Sequence, residues 1–190
     1  KTLVGMLAAG LLVQGRPPQG AGPEVGQPAP ALKLRTQDGK EEVDLAQLKG
    51  RPVVLISEAH VTPFPASAAA LERLYQAYKD RAALYIVYIL EAHPEDGRKT
   101  AANERDGIKV NQPKTYEERV KVAGECLKDL KLSIPCLVDD MQNSAQRAYA
   151  GWPDRIYVID KEGKVAYRGE PGPRGFRPAE AEETLKKLLP

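Results

Sequence analysis

Two apolar runs constrain this chain most. "VVLIS", residues 53 to 57, and "ALYIVYIL", residues 83 to 90, are continuous and rich in β-branched residues. Strands with one face in water alternate apolar and polar residues, so unbroken runs like these predict strands covered on both faces. Between them, residues 66 to 80 set Leu71, Leu74, Tyr75 and Tyr78 along one helical stripe. A strand, a helix and a strand in succession form a unit whose helix must pack back onto the sheet.

The flanking segments extend this pattern. "ALKLRTQDGKEEVDL", 31 to 45, alternates around Asp38-Gly39 and predicts a β-hairpin. A short helical turn then stops at Gly50. Residues 115 to 130 predict a helix opened by Thr115, with Glu118 three residues on as a capping box. "CLVDD" predicts a short strand, with Asp140 as N-cap of the short helix "QNSAQRAYA". "RIYVID-KEG-KVAYRG" reads as a hairpin around Glu162-Gly163, and residues 178 to 188 as a closing helix with Pro178 near its start. Residues 91 to 114 are polar and read as a long excursion without helix or strand. This order predicts an α/β sandwich with a mixed central sheet flanked by helices.

The sequence divides before that domain begins. Lys1 precedes the apolar stretch "LVGMLAAGLLV", 3 to 13. It is well short of the ~20 residues that span a bilayer. Residues 1 to 14 therefore read as a signal-like export segment, or as a docking segment for a protein partner or a membrane surface. Residues 15 to 28 read as a linker, because "GRPPQGAGPEVGQPAP", 15 to 30, holds nine Gly or Pro. The folded domain is then 29 to 190. The expected setting is exported, periplasmic or membrane-associated.

Charge and cysteine usage narrow the function classes. A net charge of +2 over 190 residues gives nucleic acid no basic footprint. Two cysteines, Cys126 and Cys136, are too few for a disulfide scaffold and lack C-x-x-C spacing. They are either two unrelated buried thiols or one disulfide or redox pair.

In mixed sheets ligands gather beyond the carboxyl ends of the parallel strands. Here those ends are "SEAHVTP" and "EAHPEDG". The chain's two histidines, His60 and His93, fall one in each, which predicts a shared site. Two imidazoles with Glu58 or Glu91 would form an acceptable ligand set for zinc, copper or iron. Without a metal, His93 could carry a proton near neutral pH, with Glu91 two residues away as its partner.

Four blocks carry a resemblance. They are "EAHPEDG" at 91 to 97, "DDMQN" at 139 to 143, "YAGWPDRIY" at 149 to 157 and "GEPGP" at 169 to 173. In this order, over most of residues 28 to 190, the chain resembles the iodothyronine deiodinases and their bacterial redoxin-like relatives. The resemblance implies a thioredoxin-like fold with a long insertion after the second core strand and a cis bond at Trp152-Pro153. It also implies that Glu91 and His93 serve substrate binding and proton transfer, with Trp152 and Pro153 beside them; Glu58 and His60, read from the strand-end loop, complete the expected pocket. Members of the family carry selenocysteine or cysteine just before Pro-Pro-Phe. The corresponding stretch here is "HVTPFP", and the nucleophile position falls on Val61 or Thr62. Valine has no lone pair, and a threonine hydroxyl is a weak nucleophile without a dedicated base. Three functions follow as expectations: a binding protein on a redoxin scaffold, a thiol oxidoreductase using Cys126 and Cys136, or a metal-binding protein using His60 and His93.

Overall fold

The computed structural model describes residues 21–59, 65–172 and 174–190. The predicted segment 1–14 and the first part of the linker, 15–20, lie outside the described residues, as do His60, Val61 and Thr62.

The N-terminal hairpin forms as its alternation predicts. Strands β1 (Lys33–Thr36) and β2 (Glu42–Asp44) pair antiparallel, Leu34 opposite Val43, around Gly39 at φ 71°. Left-handed φ costs a side chain about 1–2 kcal/mol and glycine almost nothing. Asp44 then caps a 3-10 turn, Leu45–Leu48, by accepting from the Ala46 N–H at 2.9 Å.

The two apolar runs become β3 (Val53–Glu58) and β4 (Ala83–Tyr88). They pair in parallel from Val53↔Ala83 to Glu58↔Tyr88. Every residue of β3 is buried, which is why its run is unbroken. Helix α1 (Pro65–Tyr78) connects them and buries Leu71 and Leu74. Full burial of such side chains contributes roughly 1.5–3 kcal/mol each.

The excursion after β4 departs from expectation. It contains a short helix, α2 (Ala101–Asp106). Polar residues on every side left no apolar stripe from which to read it.

Helix α3 (Tyr116–Asp129) opens with Thr115 accepting the Glu118 N–H at 3.2 Å. The return half of the capping box is displaced by one residue: the Glu118 carboxylate takes the Lys114 N–H at 2.7 Å. Strand β5 (Cys136–Val138) lies parallel to β4, and helix α4 (Ser144–Tyr149) follows. Strands β6 (Arg155–Ile159) and β7 (Val165–Arg168) form the predicted second hairpin, and α5 (Pro178–Leu188) closes the fold.

The seven strands run in the order β2-β1-β5-β4-β3-β6-β7. Helices α1, α3 and α5 cover one face through Leu71, Cys126 and Leu185. On the other face lie α4, through Ala145 and Tyr149, and the 3-10 turn. The edge beyond β7 is closed by the incoming chain. Gly26 and Gln27 exchange backbone hydrogen bonds with Val165, and Arg168 donates to the Ala21 carbonyl at 2.8 Å. An unpaired edge would invite association, and this strap removes it.

Candidate functional site

The carboxyl ends of β3 and β4 converge with the loop ahead of β6. Ala59, just past β3, and Ala92, four residues past β4, pack together against Trp152. Glu58 and Glu91 stand beside these alanines, and the Trp152–Pro153 bond is cis. The geometry thus brings together Glu58, Glu91, Trp152 and Pro153, with His93 two residues beyond Glu91. His60 and the Val61–Thr62 position, which follow Ala59 in sequence, lie outside the described residues.

The loop is held from below by α4. The N-cap there is Asn143, in the left-handed region at φ 55° and without a side-chain cap, so Asp140 is not the N-cap. Asp140 Oδ1 does accept the Ser144 N–H at 3.0 Å. The larger share falls to the fully buried Asp139. Its carboxylate accepts the N–H groups of Asp140, Ala145 and Gln146 at 2.9, 2.9 and 3.0 Å. A helix start presents free N–H groups, and a carboxylate satisfies several at once. Burial pushes the Asp139 carboxyl upward, and the Gln146 and Ala145 N–H groups pull it back. From α4 the chain turns through Gly151, where a Cβ would collide with the Ser57 hydroxyl.

The crevice floor is acidic and buried. Glu58 is 1% exposed, and burial raises its pKa well above the usual carboxylate range, with Asp154 adding further. Asp154, 6% exposed, is pushed up to about 6 by burial, against the Gly172 N–H and the neighbouring Arg155 charge. Gly172 must be glycine here, because a Cβ would overlap the Asp154 carboxylate. Glu91 receives the Tyr88 hydroxyl through its carboxylate, and its own N–H bonds Gln112 at 2.9 Å.

His93 sits half-buried at the rim. Its Nδ1 meets the Arg98 carbonyl at 3.1 Å, and its own carbonyl accepts from Asn103 of α2 at 3.3 Å. The polar excursion thus fixes His93, and α2 has a task the sequence did not disclose. Arg155 opens β6 opposite Ser57 across the β3/β6 ladder, where the sequence predicts only a strand start. It is 4% exposed, with Nε and Nη1 unpartnered among the described residues. A buried guanidinium with open N–H groups attracts an anion. No apolar periodicity signals a buried charged residue of this kind.

The cysteines lie in the core behind the crevice floor, within electrostatic reach of Glu58. Cys126 on α3 and Cys136 on β5 are both free and both buried in the larger core cluster. Burial raises both thiols, and for Cys126 nearby Glu58 and Glu91 add to it. A thiol needs its thiolate to act as nucleophile, and these surroundings oppose it. Among the described residues no group of three His, Cys, Asp or Glu side chains could hold a metal ion. The expected metal pair of His60 and His93 is half outside them. No helix of the described residues is long and apolar enough to cross a membrane.

Comparison with known proteins agrees with this geometry. The iodothyronine deiodinase family profile matches residues 21–189. Thyroxine 5-deiodinase of Gallus gallus is 32% identical over 160 residues, covering 82% of this chain and 60% of that protein. The enzyme of the same name from Homo sapiens is 32% identical over 166 residues, covering 85% of this chain and 53% of its own length. The chain thus spans between half and two thirds of these relatives. Among solved structures, the thioredoxin domain of a thiol-disulfide oxidoreductase from Bacteroides vulgatus superposes with a TM-score of 0.59 at 17% identity. It covers 88% of this chain and 99% of that one, which establishes the thioredoxin-like fold.

Proposed function

Because the chain belongs to the iodothyronine deiodinase family, we propose that it is a binding member of that family. In this reading the crevice takes a halogenated aromatic ligand bearing an acidic group, of the thyroxine type, and does not reduce it. One observation carries the reading: no thiol serves the crevice. The stretch 58–64, "EAHVTPF", contains no cysteine, and Cys126 and Cys136 are buried among apolar side chains with raised pKa values. The binding half rests on chemistry still in place. Trp152 offers an aromatic face against Ala59 and Ala92, and Arg155, three residues on in the chain, offers unpartnered N–H groups. His93 at the rim supplies a proton-exchanging group.

The alternative thiol-disulfide role for Cys126 and Cys136 would require the core cluster to open, since both thiols are buried in it. An exported setting accompanies the binding reading, on the strength of Lys1 and the apolar residues 3–13. Fusing residues 1–20 to a reporter that is active only outside the cytoplasm tests it.

Trp152 is the chain's single tryptophan, so its fluorescence reports on the crevice alone. Titration with thyroxine is expected to quench it saturably, with no iodide released in excess dithiol. Iodide release would overturn the non-reducing half, and an unchanged spectrum would overturn the binding half. Insulin reduction that disappears in a Cys126→Ser, Cys136→Ser double variant would establish the thiol alternative.

A further inference from the structure

Glu58 and Asp154 approach each other for a reason set by register. The β3/β6 ladder is antiparallel, and its last pair at this end is Ser57↔Arg155. Continued one step, this register sets Glu58 opposite Asp154, the residue just before β6, and the Asp154 charge acts on Glu58. Residues directly opposite in an antiparallel pair point to the same face with Cβ atoms about 4.5–5.5 Å apart. Two carboxylates directly opposite would normally be selected against, and more so where water is excluded.

Both positions are fixed. The Glu58 carbonyl accepts the Ile89 N–H at 2.8 Å, tying it to β4. Gly172 closes over Asp154, its N–H meeting the Asp154 carbonyl at 3.2 Å and its missing Cβ leaving room for the carboxylate. Glu58 Oε2 and Asp154 Oδ1 are both buried, with no hydrogen-bond partner among the described residues.

The surrounding charges do not neutralise the pair. From β4 and the turn beyond it come Tyr88 and Glu91, and Tyr88 is taken by Glu91. From α3 come Cys126 and Arg119. Arg119 donates to the backbone carbonyls of Asp139 and Asp140 at 3.2 and 2.5 Å, and so serves the end of β5. β5 adds Cys136 and Asp139, the latter engaged by three N–H groups. From β6, Arg155 adjoins Asp154 and favours its ionised form. Glu58 has only the Ala59 N–H, so the proton belongs mainly on Glu58.

We propose that Glu58 and Asp154 are a proton-sharing acid pair, holding one proton between them at neutral pH beneath the Trp152–Pro153 loop. Glu58 is then a positioning residue. It keeps the pair at one negative charge instead of two, which lowers the repulsion an acidic aromatic ligand meets at the crevice. The pair titrates as a unit, so its two proton affinities belong to both residues together. The ligand consequence rests on the binding reading above; the shared proton does not.

The test uses the whole chain without ligand. Infrared spectra in H2O and D2O at pH 7 are expected to show the C=O stretch of one protonated carboxyl per chain, shifted by deuterium. It should disappear in Glu58→Gln, whose amide is neutral and of the same shape. In Asp154→Asn the band should persist at pH 7 but change frequency, because the remaining acid has lost its partner. A wild-type spectrum without a protonated carboxyl at pH 7 overturns the proposal, and needs no variant to fold. A band unchanged in both variants overturns it as well, by assigning the proton elsewhere. If the band is present while thyroxine leaves Trp152 fluorescence unchanged, the acid pair stands and the binding reading falls.

Discussion

Asp139→Ala tests how the loop carrying Trp152 and Pro153 is held. Alanine leaves the N–H groups of Ala145 and Gln146 buried without an acceptor, and frees that of Asp140 at the surface. Each buried unsatisfied group costs about 1–3 kcal/mol, so the two together cost about 2–6 kcal/mol. Removing the carboxylate also removes its own burial penalty, seen in its raised pKa. The net expectation is a loss of about 3 kcal/mol. For a domain of this size that lowers Tm by about 6–12 °C. Urea unfolding, followed by far-ultraviolet circular dichroism and by Trp152 fluorescence, measures both stability and the local loop. Asp139→Asn keeps one oxygen able to accept two N–H groups and should lose less. A loss below about 0.5 kcal/mol for Asp139→Ala, within the range of ordinary surface substitutions, refutes the reasoning.

Other expectations follow from the same geometry. Gly151→Ala drives a methyl group into the Ser57 hydroxyl; it should cost about 1–3 kcal/mol in urea unfolding and weaken any ligand that contacts Trp152. Cys126 and Cys136 should resist an aromatic disulfide reagent in the native state and react fully in guanidinium, and rapid native labelling would contradict their burial. Asp154 has a folded-state pKa of about 6, above its unfolded value of ~3.9. The folded state then binds the proton more tightly, so this group's contribution to stability falls as pH rises from about 4 to about 6. Asp154→Asn should therefore gain on the wild type across that window, and parallel pH curves for the two proteins would show the shift to be absent.

The legible parts of the fold were those whose signal is local. β3 and β4 announced themselves by unbroken apolar runs, the hairpins by Asp38-Gly39 and Glu162-Gly163, and α3 by Thr115. Helix α2 went unread because its residues hold His93 in place without forming a core face. Asp140 looked like the cap of α4, while Asp139, one residue earlier and pointing inward, does most of that work; sequence does not say which of two adjacent aspartates is buried. The crevice divides the same way. Glu58, Glu91, Trp152 and Pro153 come together because strand ends and motif blocks mark them. Asp154 and Arg155 were missed because their roles depend on partners far off in sequence: Gly172, Ser57 and the opposite strand.

The strap along β7 has one further consequence. It carries the chain toward the crevice end of the sheet. Ala21 is held by Arg168, and Gly22 lies so close to Tyr157, Tyr149 and Ala150 that a side chain would not fit. Ala150 and Gly151 lead directly into Trp152. Anything attached ahead of Ala21 is therefore on a short leash fastened beside the crevice mouth. Residues 15 to 20, fully stretched, span about 20 Å. Were residues 3 to 13 fixed to a lipid surface or another protein, the crevice would stay within about that distance of the anchor.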